Sequence, residues 1–351
     1  MNEKTLFKSA VLSLIIVLVA VVSYEIYLRG QGIPADYDDN SPLWANTRAK
    51  ACDDADKTIV FIGSSRIKFD LDIPTWNALT RVIPVQLAMV GSCPRPALED
   101  LANDPTFKGK LVIDVTERLF FTNAPPNQET PNKNIKYFHE RTPAQRASFE
   151  ISKVLESQLS FLDQGNLSLN ARLDALELES RPGVFMMPIF PMYFDRTTYE
   201  RQSYMTATFV ADTQQQNKVK AIWAFFGKGA KMAPPPKQSE YDAIFKSVVL
   251  NVNKIKARGG TVAFVRTPSS GPYYQEESMG FPRDKFWDRL LKETNCAGFY
   301  FKDYPAIANF ECPEFSHLKR PDAVIFTKHF FEYLSQQKGF TYLQSNKPQT
   351  N

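Results

Sequence analysis

The sequence predicts an α/β domain built on a parallel sheet and preceded by one transmembrane helix. Two observations carry this prediction. Short, continuous apolar runs alternate with helical patches, which is typical of a doubly wound sheet buried on both faces. The N-terminus has an uncharged apolar stretch close to the length that a bilayer requires. With 351 residues, 43% apolar and 23% charged, the chain is near the globular average, which excludes wholesale disorder and a coiled coil.

The apolar stretch near the N-terminus is predicted to be an uncleaved membrane anchor. The uncharged run SAVLSLIIVLVAVVSY separates Lys8 from Glu25. Residues 9–28 can span a bilayer if Glu25 lies at the interface, beside two tyrosines. Because Lys4 and Lys8 precede the run, the positive-inside rule places the N-terminus in the cytoplasm and the rest of the chain outside. A signal peptide cleaved after Ser23 and a buried core helix are the alternatives.

The rest of the chain is predicted to be one soluble domain on a tether. Residues 1–29 form the cytoplasmic N-terminus and the anchor, residues 30–55 a polar tether, residues 56–340 the α/β domain, and residues 341–351 a polar tail. The alternation of strands and helices breaks at about 122–238, where prolines and aromatic residues accumulate. This block is predicted to be a mostly helical insertion.

Five short apolar runs are the predicted strands of the sheet, over residues 58–62, 85–90, 111–115, 261–265 and 298–301. Working groups of an open α/β sheet lie at the carboxyl ends of its strands, so the residues that follow these runs are candidates for a site. They are Ser64 and Ser65, Gly91 and Ser92, Thr116 and Glu117, and Arg266, joined by Glu314 and His317 from a late irregular loop.

These residue types suggest nucleophilic catalysis by a serine. A serine in a strand-to-helix turn exposes its hydroxyl, and its own N–H is free to bind an oxyanion. The serine needs a base, and the base needs an acid that holds its tautomer. Of the three histidines, only His317 has a carboxylate three residues before it in an irregular segment, that of Glu314. This pair is therefore the candidate base and acid.

Taken in chain order, the residues resemble the SGNH (GDSL-like) hydrolase superfamily. The segment Gly63-Ser64-Ser65-Arg66 looks like its first block, which implies Ser65 as the nucleophile. Gly91 matches the second-block glycine, whose N–H completes an oxyanion hole with the N–H of Ser65. The segment Glu314-Phe-Ser-His317 looks like the final Asp-x-x-His block. The resemblance covers about residues 57–121 and 239–337 and implies a flavodoxin-like three-layer α/β/α sandwich.

The third block departs from the pattern of the superfamily. Gly-x-Asn-Asp is expected after the third strand, but the chain has Val115-Thr116-Glu117-Arg118. Thr116 is the predicted replacement for the asparagine of the oxyanion hole, with Arg118 or a weaker oxyanion hole as the alternatives. The acid of the triad is Glu rather than Asp. Arg66 and Arg266 are the predicted substrate-binding residues, with a salt bridge at the rim as the alternative for Arg266.

The resemblance also implies an activity and a location. The architecture resembles that of bacterial anchored proteins such as the alginate acetylation proteins and the lipoteichoic-acid D-alanylation accessory protein, which work beside a membrane-bound O-acyltransferase. It implies a single-pass protein of the bacterial inner membrane with an extracytoplasmic, periplasmic domain. The implied activity is an esterase or acyltransferase acting on a carbohydrate or cell-envelope polymer without a cofactor. The alternative is a degenerate scaffold of the same fold that assists the acyltransferase.

The cysteines, the histidines and the net charge indicate whether disulfides, a metal site or a nucleic-acid partner are to be expected. In an oxidising compartment the four cysteines can form two disulfides in three possible pairings, of which Cys52–Cys93 with Cys296–Cys312 is the predicted one. Four buried free thiols are the alternative. Three histidines without Cys-x-x-Cys or His-Glu-x-x-His spacing predict no metal site. A net charge of +4 without a basic cluster predicts no nucleic-acid partner.

Overall fold

A five-stranded parallel sheet forms the centre of the computed structural model, which confirms the predicted parallel α/β arrangement. Its strands follow the spatial order β2-β1-β3-β6-β7, and a separate antiparallel pair joins β4 to β5. The structure describes residues 3–341 except 34, 56, 175, 177–186 and 233–235. Within these residues the strands are β1 (Ile59–Ile62), β2 (Val85–Gln86), β3 (Lys110–Asp114), β4 (Arg196–Thr197), β5 (Ser203–Tyr204), β6 (Thr261–Arg266) and β7 (Ala297–Tyr300).

The α-helices of the described residues range from 4 to 28 residues in length. Three single 3₁₀ turns, Lys50–Cys52, Ser160–Leu162 and Phe301–Asp303, accompany them. The α-helices are α1 (Glu3–Gly30), α2 (Ser41–Ala49), α3 (Ser65–Asp70), α4 (Ile73–Thr80), α5 (Arg95–Asn103), α6 (Glu117–Phe120), α7 (Pro126–Glu140), α8 (Pro143–Glu156), α9 (Gln164–Leu167), α10 (Leu169–Asp174), α11 (Ala207–Ala211), α12 (Thr213–Met232), α13 (Gln238–Ala257), α14 (Gly271–Gly280), α15 (Trp287–Thr294) and α16 (Arg320–Leu334).

The sheet is apolar because helices cover it. Every residue of β1 is fully buried, as expected for a central parallel strand. Helix α13 packs against α5 and α15, and α16 packs against α3 and α4. Since the chain passes from β1 to β2 on one side and returns to β3 on the other, the strand order reverses between β1 and β3. The carboxyl ends of these two strands therefore flank the crevice in which sheets of this kind bind ligands.

The chain divides into two compact units. One consists of Met1–Asp38 and Pro143–Met187, and the other of Asp39–Thr142 and Pro188–Asn351. The first contains α1 and α8 to α10. The second contains the sheet and all of the candidate site residues. Residues 177–186 and 233–235 of the predicted insertion, and residues 342–351 of the predicted tail, lie outside the described residues.

Helix α1 is long and apolar enough to cross a membrane. It has 28 residues, and its most apolar 18-residue window has a mean hydropathy of 2.5, with none of the window buried. A core helix would be buried by the rest of the protein, so the exposed apolar window of α1 argues against the alternative of a buried core helix. The helix ends at Gly30, and Gly32, two residues later, has a φ of +74°, the left-handed conformation common after a helix C-terminus.

Part of the predicted polar tether is folded into the second unit. Helix α2 begins after Asn40, whose side chain accepts the N–H of Leu43 at 3.1 Å. Trp44 is fully buried, and its indole N–H donates to the carbonyl of Leu87 at 3.0 Å. The segment around this short helix is rich in polar residues, so its few apolar residues did not indicate a packed helix. The predicted tether, residues 30–55, is therefore too long, because residues from Ser41 onward belong to a packed helix.

The predicted disulfides are wrong, because all four cysteines are free thiols in the structure. The Cys52 thiol lies 3.5 Å from a carboxylate oxygen of Asp104, and the Cys296 thiol donates to the carbonyl of Thr294 at 3.6 Å. Cys93 and Cys312 are buried. Burial raises the pKa of the Cys312 thiol well above its ordinary value, which favours the uncharged thiol.

Candidate active site

The three residues predicted as nucleophile, base and acid form one hydrogen-bonded chain. Ser65 Oγ lies 2.8 Å from His317 Nε2, and His317 Nδ1 lies 3.0 Å from Glu314 Oε1. The Ser65 residue is 8% exposed, while His317 and Glu314 are almost completely buried. One imidazole nitrogen therefore contacts the serine hydroxyl and the other contacts a carboxylate, the two contacts that general-base activation of a serine requires.

The turn after β1 presents Ser65 to the imidazole. Ser64 is the N-cap of α3, and its hydroxyl accepts the N–H of Arg66, which makes Ser65 the first residue of the helix. A Cβ at Gly63 would lie 2.6 Å from the Cβ of Asp114 and the Cγ2 of Ile67, so only glycine fits at this turn. The close packing between β1, β3 and α3 thus fixes the position of the serine.

Ser64 and Thr116 serve the interior rather than the crevice. Their hydroxyl oxygens are 2.7 Å apart, and the Thr116 hydroxyl also donates to Asp114 Oδ2 at 3.1 Å. Thr267 donates to the other oxygen of Asp114 at 3.0 Å. Burial raises the pKa of the Asp114 carboxyl. Thr116 is therefore corrected from an oxyanion donor to a partner of Ser64 and Asp114, since its hydroxyl is already committed to that cluster.

The late loop folds back on itself to hold the acid. Glu314 Oε1 accepts the backbone N–H of Ser316 at 3.2 Å and of His317 at 2.6 Å, in addition to the imidazole. Phe315, between them, has a φ of +79°, a left-handed conformation that is strained for a bulky side chain. The N–H of Leu318 donates to Asp70 Oδ1 at 2.9 Å, which ties the loop to the end of α3.

Trp223 completes the surroundings of the acid and was missed by the sequence analysis. Its indole N–H donates to Glu314 Oε2, so both carboxylate oxygens accept hydrogen bonds. Its ring centroid lies 6.0 Å from that of the imidazole, while those of Phe69 and Phe194 lie 4.3 and 5.9 Å away. These rings displace water from the histidine and strengthen its interaction with the carboxylate. The only signal in the sequence is the unpatterned aromatic content of the insertion.

The predicted oxyanion hole depends on the backbone N–H groups of Ser65 and Gly91. Within the described residues, neither the N–H of Ser65 nor that of Gly91 donates a hydrogen bond. The N–H of Met89 donates to the carbonyl of Gly63 at 3.1 Å, which places the segment after β2 beside the serine turn. Gly91, with a φ of +63°, follows two residues later, and its carbonyl accepts the side-chain N–H of Asn127. Ser92, the next residue, turns its hydroxyl to the carbonyl of Val90.

The two predicted substrate-binding arginines are buried in an ion-pair cluster, which corrects that assignment. Arg66 and Arg266 are each 1% exposed, and both donate to the carboxylate of Glu277. Arg266 also donates to Glu117 Oε1 at 2.9 Å, and Arg66 Nε donates to Ser316 Oγ at 3.3 Å. Both guanidinium groups are thus neutralised by carboxylates and closed to solvent. The cluster connects the helix of the serine to the loop of the histidine.

The charges of this cluster set the protonation of its carboxylates. Burial alone would raise the pKa of Glu277, but attraction to Arg66 and Arg266 outweighs it and lowers that pKa to about 2. The pKa of Glu117 is raised, mainly by burial, although Arg266 opposes the rise. Glu277 is therefore the firmly ionised partner. Sequence analysis missed Glu277, since nothing in the pattern of α14 marks it as buried.

No protein-family model matches the chain, and no curated protein matches it. Among the described residues, no group of three or more His, Cys, Asp and Glu side chains is placed to hold a metal ion.

Proposed function

We propose that this protein is a serine esterase or O-acyltransferase of the SGNH type. The observation that carries the proposal is the chain of contacts from Ser65 Oγ to His317 Nε2, at 2.8 Å, and from His317 Nδ1 to Glu314, at 3.0 Å. The spatial order of the parallel strands supports the flavodoxin-like sandwich of that superfamily. Membership in the superfamily is itself part of the proposal.

In the proposed reaction, Ser65 Oγ attacks the acyl carbonyl as its proton moves to His317 Nε2. Glu314 stabilises the imidazolium that forms. The N–H groups of Ser65 and Gly91 hold the oxyanion of the tetrahedral intermediate. His317 then returns the proton to the leaving alcohol, and the acyl group stays on Ser65 as an ester. Water or a sugar hydroxyl, deprotonated by His317 in the same way, takes the acyl group and restores the serine.

The proposed substrate and location rest on the resemblance and on α1. We propose that α1 anchors the chain in the bacterial inner membrane, and that Lys4 and Lys8 keep its N-terminus in the cytoplasm. The second unit would then face the periplasm, where acyl esters of a carbohydrate or cell-envelope polymer are its substrates. A membrane-bound O-acyltransferase is the proposed partner. Exposure of the apolar window of α1 supports the anchor.

A scaffold without activity is the second candidate function. One observation favours it: the third-block asparagine is replaced, and the hydroxyl of Thr116 is engaged with Ser64 and Asp114 instead of the crevice. Such a protein would keep the fold and hold a glycan or the acyltransferase partner. The intact contacts of Ser65 and His317 favour the esterase.

Labelling with an organophosphonate separates the two candidates. We expect the probe to modify Ser65 of the full chain, and expect Ser65→Ala and His317→Ala each to lower hydrolysis of a short acyl ester roughly 10⁴-fold. Ser64→Ala is the matched control, because the neighbouring hydroxyl faces Asp114. That variant loses a helix cap worth about 1 kcal/mol and still becomes labelled. Labelling that persists in Ser65→Ala would remove the assignment, and an unlabelled wild-type protein would favour the scaffold.

A further inference from the structure

The C-terminal end of α1 holds a second segment of the first unit by hydrogen bonds. The Glu25 carboxylate accepts the N–H of Ser160 at 3.0 Å and that of Phe161 at 3.2 Å. Arg29 donates to Glu25 at 2.7 Å and to the carbonyl of Gln158 at 2.6 Å. The chain around residue 160 is therefore fixed against this end of the helix.

With α1 as a membrane span, this end lies at the surface of the bilayer. The uncharged run over residues 9–24 covers about 24 Å at 1.5 Å per residue. Glu25 and Arg29 are the first charged residues after it, and Tyr24 and Tyr27 belong to the same turns, as is typical of a membrane–water interface. Whatever the two charged residues hold must then lie at the level of the headgroups.

Helix α8 ends directly before the held segment and has an uncovered apolar face. None of its residues is buried, and Ile151, Val154 and Leu155 are 68, 59 and 50% exposed. At 100° per residue these three side chains lie within about 100° of one another, whereas Arg146 lies about 140° from Ile151 and about 180° from Leu155. A 14-residue helix without a packed face is only marginally stable in water, so it requires a surface.

Helix α10, which follows the held segment, repeats this arrangement. Leu169 and Leu173 are one turn apart and are 73 and 53% exposed. Both helices belong to the same compact unit as the end of α1. Exposed apolar surface of this extent is uncommon in a soluble protein and marks an interaction site.

We propose that α8 and α10 lie in the membrane interface with their apolar faces against the lipid acyl chains. The occupant is lipid because α8 ends at Glu156, only two residues before Gln158, whose carbonyl Arg29 holds at the end of the proposed membrane span. A helix with one apolar side and one polar side is suited to lying parallel to the bilayer at this depth. The first unit is then a platform seated on the membrane. This inference is independent of the chemistry proposed for Ser65.

Photo-crosslinking of the full chain in phosphatidylcholine vesicles tests the proposal. A diazirine-bearing amino acid replaces one residue at a time: Ile151 or Leu155 on the apolar face, Arg146 on the opposite face of the same helix, and Leu18 within the anchor. We expect lipid adducts at Ile151 and Leu155 within about threefold of those at Leu18, and at least about tenfold fewer at Arg146, because only one side of an interfacial helix contacts acyl chains.

Three results would overturn the proposal. Yields at Ile151 and Leu155 as low as at Arg146, with Leu18 well labelled, would show that the face is not on lipid. Crosslinks from Ile151 to a second copy of the chain would identify another occupant. A chain that forms no lipid adduct at Leu18 would not span the bilayer, and the inference would fall with the anchor. The replaced side chains in α8 are largely exposed, so the fold does not depend on them.

Discussion

Replacing Glu277 by Gln is the change that tests the buried ion-pair cluster most directly. The Glu277 side chain is 1% exposed and accepts hydrogen bonds from Arg66, Arg266 and Ser269. Glutamine preserves the shape of the side chain but removes its negative charge. The buried guanidinium group of Arg266 then keeps Glu117 as a carboxylate partner, whereas that of Arg66 loses the carboxylate to which it donates. We therefore expect the variant to be markedly less stable.

The structure gives the size of this loss in two ways. A pKa lowered from 4.5 to about 2 corresponds to about 3 kcal/mol of preference for the ionised form of Glu277 in the folded state. Removal of one partner from a buried ion pair independently costs about 3–5 kcal/mol. For a domain of this size, where each kcal/mol lowers the melting temperature by about 2–4 °C, a loss of about 3–5 kcal/mol predicts a decrease of about 6–20 °C.

Thermal unfolding of the full chain in detergent, followed by circular dichroism, measures this loss. Glu276→Gln is the matched control on the same helix, because the Glu276 side chain is 40% exposed and its ion pair with Arg118 lies at the surface. A surface pair contributes about 0–1 kcal/mol, so this control should stay within about 4 °C of the wild type. If Glu277→Gln unfolds at the same temperature as the control, the cluster does not stabilise the fold.

Acid should remove the same contribution from the wild-type protein. The pKa of Glu277 is lower in the folded state than its ordinary value of 4.5, so the folded state binds this proton more weakly than the unfolded state. The stabilisation is therefore complete above about pH 4.5 and is lost as the pH falls toward about 2. The difference in melting temperature between wild type and Glu277→Gln should shrink over this interval. A difference that stays constant would contradict the assignment of the charge.

Three further substitutions test the neighbouring contacts. Trp223→Phe keeps a ring beside the histidine but removes the hydrogen-bond donor to Glu314. We expect ester turnover to fall about 5- to 10-fold with little change in KM. An unchanged turnover would contradict the positioning role of Trp223. Gly63→Ala should lower the free energy of unfolding by about 1–3 kcal/mol in denaturant titration, because its Cβ would overlap that of Asp114. Thr116→Val should lower stability by about 1–2 kcal/mol and leave turnover within about twofold, whereas a hundredfold loss of turnover would restore the oxyanion role.

The sheet could be predicted from the sequence because its signal is local. Each parallel strand is buried on both faces, so a run such as Ile59–Ile62 is continuously apolar and ends at a glycine. Helix α2 gave no such signal, because Trp44 is buried by distant parts of the chain and not by the residues around it. The disulfide prediction depended on the compartment and on the number of cysteines, and neither determines which thiols meet.

The three residues of the candidate triad could also be predicted from the sequence, whereas the residues that hold them in place could not. Ser65 follows a recognisable strand, and Glu314 precedes His317 at a fixed spacing in an irregular segment. Trp223 and Glu277 reach the site from α12 and α14, and their roles exist only after those helices pack. Arg66 and Arg266 were predicted to bind substrate, because arginine side chains are usually exposed and so can meet a ligand. Only their burial beside Glu277 shows that they are structural charges.

The distance along the chain between the serine and its base has a consequence for the timing of biosynthesis. Ser65 and His317 are 252 residues apart. At about 5–20 residues per second, synthesis reaches the histidine roughly 13–50 s after the serine. During that interval the strand and turn that carry Ser65 can form, but the hydroxyl has no base and is as unreactive as any surface serine. Under the proposed function, a nascent or truncated chain that lacks His317 therefore cannot attack esters that it meets on its way out of the ribosome.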